Sequence, residues 1–469
     1  MGESENTKKS TMHPMLLLVI VVVLCAIATY VIPAGSYSKV TDESIGIEII
    51  DPESFTYIER TPAGLEDLFM SFTLGLQNAS YVIFFLLIIG GMFGIINGTG
   101  ALNVAIANIM KKIQGKELIM IPILMIMFGC GSAFCGNFEE FLVFVPLVLA
   151  CCITAGFDSL TAVGIIFMAA AIGYGGGITN TFTIGTAQTI AGLPVFSGMG
   201  LRVVLFIVLE IVTIAYVVWY ARLIKKNPKL SGTYIYDQEK NQDKKLNLEV
   251  IPKLKGRQIG VIAVFLIGIV AAVIGVIKAG FYVDELSAIF LLTGIICGAV
   301  GGLSPSEICR QFVKGSKEML LPCFMIGLAN SAIYLLEEAN VMDTILHALA
   351  KGLSSLPDNL MACGMFVFHE IFNVIVPSGS AQATVTMPLM VPLADSTGIT
   401  RQTAVLAYQL GDAFTNVLSP TGGEVLAALA ICKVPFGKWV KFLLPVFVMW
   451  VVISLVFLVV AVHIGYGPF

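Results

Sequence analysis

Apolar runs long enough to cross a bilayer recur along the whole chain, and two long ones are interrupted by polar, glycine-rich knots. Nine segments read as spans: 15–33, 79–97, 160–190, 202–221, 258–277, 284–302, 320–337, 403–430 and 440–463. Each approaches or exceeds the ~20 apolar residues a helix needs to cross the hydrocarbon core. The first is expected to stay in the mature chain, because Ile32-Pro33-Ala34-Gly35 follows it without a small-residue cleavage pattern. The stretches 118–155 and 358–395 are too long for one span, and each carries a knot in its middle. The knots read Gly-Cys-Gly-Ser-Ala-Phe-Cys-Gly-Asn-Phe-Glu-Glu at 129–140 and Val-Pro-Ser-Gly-Ser-Ala-Gln-Ala at 376–383. Each stretch is predicted to be a re-entrant hairpin with its tip at mid-membrane, where irregular backbone needs protein or a wet cavity around it. Two ordinary spans apiece remain the alternative, since both arrangements return the chain to its starting side.

The two knots belong to a longer repetition. At an offset of 240, Phe72 matches Phe312, Gly75 matches Gly315 and Phe128 matches Phe368. At 242, Pro146-Leu147 match Pro388-Leu389, Gly156 matches Gly398, and Thr161-Ala162-Val163 fall on Thr403-Ala404-Val405. Interrupted apolar segments at corresponding positions of two halves point to the binding site of a transporter.

Composition then fixes the class. Hydrophobic residues make up 57% of 469 and charged residues 12%, at a mean hydropathy of +0.90, against roughly 25% charged in soluble domains. No lysine or arginine occurs between Lys116 and Arg202, nor between Lys351 and Arg401. The prediction is an all-α polytopic membrane protein; no run of alternating strands suggests a barrel. With the amino terminus inside, 21 of the 27 Lys and Arg fall on cytoplasmic segments, as the positive-inside bias requires. The first hairpin then starts and ends inside and the second outside, so the halves are inverted. The predicted layout is a cytoplasmic tail, 1–14; a first repeat, 15–221, with its broken helix at 160–190; a basic, solvated cytoplasmic linker, 222–257; an extra span plus second repeat, 258–463, with its broken helix at 403–430; and an external tail, 464–469.

Each hairpin is followed by a segment too rich in glycine or proline to stay a continuous helix: 173–189 and 411–424. Freed backbone groups beside neutral hydroxyl and amide oxygens suit small ions and charged solutes. Close glycine packing with Ser/Thr back-bonding would explain one such segment; two related ones favour binding. The candidates are Ser132, Asn137, Glu139 and Glu140 on the first hairpin and Thr179, Asn180, Thr181 and Thr183 at the first break. Their counterparts are Ser378, Gly379, Ser380, Gln382 and Thr384 on the second hairpin and Asp412, Thr415, Asn416, Ser419, Thr421 and Glu424 at the second break.

Glu139, Glu140, Glu210, Glu370, Asp412 and Glu424 lie in apolar surroundings, with no lysine or arginine read as joining them. A charge at the bilayer centre costs at least ~2.5–3.5 kcal/mol, so such residues tend to face a cavity. For Glu210, alone on its span, protonation or an interfacial position is an equal account. An acid-rich cavity suits a cationic solute, or a coupling cation beside an anionic one. Enzyme chemistry is not indicated. His369-Glu370 starts like a zinc-protease helix, but position 373 is Asn and the second histidine is missing. The ten scattered cysteines form no CxxC pair and read as buried thiols. An ion channel is disfavoured because inverted halves with hairpins imply alternating access.

Three stretches resemble the YfcC family: 187–202 (Ala-Gln-Thr-Ile-Ala-Gly-Leu-Pro-Val-Phe-Ser-Gly-Met-Gly-Leu-Arg), Phe138-Glu139-Glu140, and 378–389. The similarity runs from about residue 12 to the end, departing at Asn137-Phe138, where many relatives place a small residue (Gly or Met) before the Glu pair. That family sits with the anaerobic four-carbon dicarboxylate carriers in the ion transporter superfamily. The resemblance implies a two-repeat carrier with a scaffold and a mobile part moving as an elevator, forming a homodimer, in a group that includes arginine/ornithine antiporters. The expectation is therefore a secondary transporter of a small charged metabolite in the bacterial inner membrane. No cofactor is expected, with Na⁺ (bound at the hairpin tips) or H⁺ as coupling ion and no nucleic-acid partner. Basic amino acid exchange leads, and a cation-coupled dicarboxylate carrier is the alternative.

Overall fold

Backbone amides and carbonyls find no water in lipid, so the apolar runs close their hydrogen bonds internally as helices. The computed structural model describes residues 14–42, 47–102, 104–105, 108, 115–238, 256–279, 281, 283–353, 356–357 and 360–467. The first half contains α1 Pro14–Val31, α2 Leu65–Asn78, α3 Ser80–Gly98, α4 Met120–Cys135, α5 Val145–Thr154, α6 Ser159–Gly176, α7 181–190 and α8 Met199–Lys226. The second half contains α9 Gly256–Ala279, α10 Val283–Gly301, α11 Pro305–Glu318, α12 Leu320–Glu338 and α13 Met342–Leu353. It continues with α14 Met361–Asn373, α15 Gly379–Thr397, α16 Arg401–Leu418, α17 Gly423–Ile431 and α18 Phe436–His463. Among the described residues seven helices are long and apolar enough to cross a membrane: α3, α4 with its leading turn from Glu117, α6, α8, α10, α12 and α18. This is a polytopic, mainly helical membrane protein.

Several sequence readings need correction. The segment 403–430 contributes no such helix. Its first part, α16, is buried at every position from Gln402 to Val417, so it can carry Gln409 and Asp412 instead of a lipid-compatible surface. The segment between α1 and α2 carries two small antiparallel ribbons. Gly35–Ser36 pairs with Thr56–Tyr57, and Lys39–Asp42 pairs with Ile47–Ile50. The linker is not wholly solvated. Asp237 accepts hydrogen bonds from Ser159 N at 3.1 Å and Thr233 Oγ1 at 2.7 Å, and Asp158 accepts from Tyr220 Oη at 2.7 Å and Ser231 Oγ at 2.6 Å. Residues 231–237 are thereby fastened to the start of α6. The rest of the linker (239–255), most of the amino-terminal tail and residues 468–469 lie outside the described residues.

Packing divides the helices into two groups. In one, α1 and α2 lie on α12, while α10 and α11 lie on α3, with α9 against α10. In the other, α4 and α8 pack on α6, and α14 and α18 pack on α16. The groups meet chiefly where α12 runs against α17. The hairpin arms are unequal. α14 has 13 residues, about 20 Å at 1.5 Å per residue, well short of a ~30 Å core. α15 keeps helical form through Pro388 and Pro392.

Candidate transport site

Both hairpins turn where the backbone leaves the helix. α4 ends at Cys135, and Gly136, at φ 75°, donates its N–H to the Ser132 carbonyl at 2.9 Å. A Cβ on Gly136 would stand 2.4 Å from Asn180 Oδ1, so only glycine lets this tip meet the first break. Asn180 in turn caps α7, its Oδ1 accepting from Phe182 N at 3.0 Å and Thr183 N at 3.3 Å.

Each break is stitched to its own hairpin by the same bond. Thr179 Oγ1 donates to the Phe134 carbonyl at 2.8 Å, and Thr421 Oγ1 donates to the Val374 carbonyl at 2.7 Å. The threonines are 242 residues apart and the carbonyls 240 apart. In both halves a hydroxyl satisfies a carbonyl that the end of the hairpin arm leaves open. Thr179 N adds a bond to the Ala133 carbonyl at 3.1 Å.

A cavity of about 280 Å³ opens between the two tips, the two breaks and the other helix group. The first tip contributes Phe138, Glu139 and Glu140, and the second contributes Ser378, Gly379 and Ser380. The breaks contribute Tyr174, Phe182, Asn416, Thr421 and Glu424, while α3 and α12 supply Tyr81, Asn330 and Glu337 across from them. At the offsets of 240 and 242, Phe138 answers Ser378, Glu139 answers Gly379, Glu140 answers Ser380, Tyr174 answers Asn416 and Phe182 answers Glu424. Positions at those offsets thus carry different chemistry, and the cavity lining is asymmetric. Glu140 is held by its own turn, Oε2 accepting from Phe138 N at 3.0 Å.

Of the residues singled out in the sequence, Glu139, Glu140, Ser378, Gly379, Ser380, Asn416, Thr421 and Glu424 line this cavity. Ser132, Thr179, Asn180 and Ser419 support it from behind. Ser132 Oγ donates to the Ala170 carbonyl at 2.8 Å, and Ser419 Oγ lies 2.5 Å from Thr421 Oγ1. Asn137 and Thr384 do not line it; Thr384 bonds back to the Ser380 carbonyl at 2.9 Å. The Thr181 side chain lies outside the described residues. Thr183, Gln382, Asp412 and Thr415 fall instead into a separate buried cluster behind the second tip, with His369, Glu370 and Asn373. Glu210 is buried against Gly129 of α4, away from the cavity. Sequence reasoning missed Tyr81, Asn330 and Glu337, although the last two stand out as polar positions of an otherwise apolar run.

Arg202 is a buried cation that joins none of the acids singled out in the sequence. Read as an external residue, it is fully buried. Its guanidinium donates to the carbonyls of Gly177 at 3.1 Å, Ser197 at 2.7 Å, and Ile178 and Phe196 at 3.4 Å, and to Tyr466 Oη at 3.3 Å. A cation at the carboxyl end of α6 meets both the open carbonyls and the dipole there. At the second break a neutral donor does the same work, Trp439 Nε1 reaching the Val417 carbonyl at 2.7 Å.

The profile of the DcuC family, described as C4-dicarboxylate anaerobic carrier, matches residues 13–463. The chain belongs to this family. Two relatives extend the match. The Escherichia coli (strain K12) protein named "Putative basic amino acid antiporter YfcC" is 31% identical over 94% of each chain. An uncharacterized protein of Haemophilus influenzae (strain ATCC 51907 / DSM 11121 / KW20 / Rd) is 30% identical over 98% of this chain and 99% of its own. Among solved structures, the YdaH transporter of Alcanivorax borkumensis aligns with a TM-score of 0.41 at 16% identity, covering 97% of this chain and 100% of that one. MtrF of Neisseria gonorrhoeae, described with a class of antimetabolite efflux pumps, aligns at 0.43 and 17% identity over 98% of each. This DcuC-family protein is a carrier and not an enzyme.

Proposed function

We propose that the chain is a secondary active transporter that exchanges small basic metabolites, of the arginine and ornithine kind, across the bacterial inner membrane. One observation carries the reading. Glu139, Glu140, Glu337 and Glu424 all line the cavity, and no lysine or arginine does among the described residues. Carboxylates gathered out of bulk water repel one another and favour a cationic occupant, and a guanidinium or ammonium group answers that charge. The name of the Escherichia coli relative points the same way. In this reading the halves 15–221 and 258–463 are inverted repeats joined by the cytoplasmic linker 222–257, with the amino terminus inside. The group holding both hairpins, α4–α8 with α14–α18, slides as an elevator against α1–α3 and α9–α12, and two copies form a homodimer.

The dicarboxylate alternative has its own support. Ser378 and Ser380 face the cavity at the amino end of α15, where open amides and the helix dipole suit a carboxylate. The acids would then serve a coupling Na⁺ or H⁺. Proteoliposomes loaded with ornithine decide between the two. Saturable uptake of labelled arginine without an ion gradient is expected. Gradient-driven succinate uptake, with arginine neither moved nor competing, would refute the proposal and favour the alternative.

A further inference from the structure

The rings of the cavity carry information that its charges do not. Phe138, Tyr174 and Phe182 line it from the hairpin group, and Tyr81 lines it from α3 across from them. The first three belong to the first half. At the offsets of 240 and 242 their positions fall on Ser378, Asn416 and Glu424, which line the cavity too. One half thus supplies an aromatic wall and the other a hydrogen-bonding one. The wall is fixed at Phe138, which is buried and packed edge-to-face on Tyr174 at 5.5 Å and on the fully buried Phe167 at 5.7 Å. Tyr174 is anchored through its backbone, its carbonyl accepting from Gln409 Nε2. Phe182 leans over the first tip: a Cβ on Gly136 would stand 3.0 Å from its Cδ2. Phe182 nevertheless keeps 40% of its surface exposed, and Tyr81 keeps 46%, so the cavity offers open ring surface to an occupant. The acids stand beside these rings. Phe138 directly precedes Glu139 and Glu140 and gives its N–H to Glu140, and the Tyr81 hydroxyl lies within electrostatic reach of Glu139 and Glu424.

We propose that the wall of Phe138, Tyr174 and Phe182, with Tyr81 opposite, reads a planar guanidinium, so that the carrier binds guanidino compounds more tightly than primary amines of the same length. The inference rests on the basic-solute reading of this cavity and narrows its substrate class. Carboxylates alone do not separate the two kinds of cation, because either answers their charge. The rings do. An ammonium is a compact charge with a tight hydration shell, and ring surface strips that water without replacing its hydrogen bonds. A guanidinium is weakly hydrated over its faces and carries all its donors around its edge. Its face can therefore lie on an aromatic ring while its edge meets a carboxylate through two parallel hydrogen bonds. An aromatic wall beside three glutamates supplies both partners at once. Unequal affinity for the two members of an exchange follows: an arginine-type solute fills the cavity at lower concentration than an ornithine-type one.

Competition against labelled ornithine, in counterflow with ornithine-loaded proteoliposomes, reads the preference with two competitors of similar length, arginine and lysine. In the wild type, half-inhibition by lysine should need roughly ten times the concentration that arginine needs, the scale of a cation held on a desolvated ring. Phe182→Leu and Phe138→Leu keep apolar bulk and remove the π face. Each should raise arginine's half-inhibitory concentration about 3- to 10-fold and leave lysine's within about twofold. A merely structural role would raise both together. Phe182→Tyr keeps the π face and should retain the wild-type ratio. Phe182 is partly exposed, so its variants carry the test if Phe138→Leu does not fold. Equal competition by lysine and arginine in the wild type, or an unchanged ratio in both leucine variants, overturns the wall. Ornithine self-exchange stays intact in those cases, so the basic-solute reading survives them. A wild type that counterflows no basic solute refutes that reading and takes this inference with it.

Discussion

Gly379 is the position at which a single methyl group should disconnect the hairpin from its support. Its added Cβ would meet Thr183 Cγ2 at 2.5 Å and Asp412 Oδ2 at 2.8 Å, whereas carbon contacts settle near 3.5–4.0 Å. The shortfall is about 1 Å, and Thr183 and Asp412 are both fully buried and cannot swing away. Overpacking of this kind costs about 1–3 kcal/mol. Most of that cost falls on the arrangement with the tip closed against Asp412, because retreat of the tip relieves the overlap. At 1.4 kcal/mol per decade, Gly379→Ala should raise the Km for the exchanged solute by about 5- to 150-fold in counterflow from proteoliposomes. Expression and elution as a monodisperse species should stay unchanged. Gly200→Ala is the matched control: nothing lies within 4 Å of its added Cβ, so transport and fold should be retained. A Km within twofold of wild type in Gly379→Ala would refute the close packing of tip, Asp412 and α7.

Two further perturbations probe the acids and the breaks. Glu139→Gln and Glu140→Gln should each lower uptake at least tenfold at matched membrane levels, because loss of a buried charge relieves up to ~2.5–3.5 kcal/mol of insertion cost and cannot impair insertion; normal uptake by both would remove the pair from the solute site. Arg202→Gln should lower the unfolding temperature in detergent far more than Trp439→Phe. The first uncovers several buried carbonyls at about 1–3 kcal/mol each, the second only one. Arg202→Lys should not restore it, since an ammonium lacks the planar fork, and equal losses at the two breaks would contradict the assignment.

The class of this protein, and the chain positions where helices must fail, were legible in the sequence. Both follow from local properties: hydropathy over about twenty residues, and glycine, proline and polar side chains where lipid tolerates none without a reason. The tips at 136–140 and 376–381 and the breaks at 177–180 and 419–422 were visible in that way. Which polar groups meet was not. Glu424 and Asp412 look alike in the chain, twelve residues apart on either side of one break. Yet the first lines the cavity and the second is enclosed behind Gly379. Arg202 looked external because it stands at the edge of an apolar run, and only the return of Gly177, Ser197 and Tyr466 from three directions makes its burial affordable. Amphipathic α11 and buried α16 defeated the hydropathy reading for opposite reasons. One carries a polar face along a helix, and the other is shielded from lipid by its neighbours. Solvent exposure, partner and charge environment belong to pairs of segments that are hundreds of residues apart, so tertiary packing alone decided them.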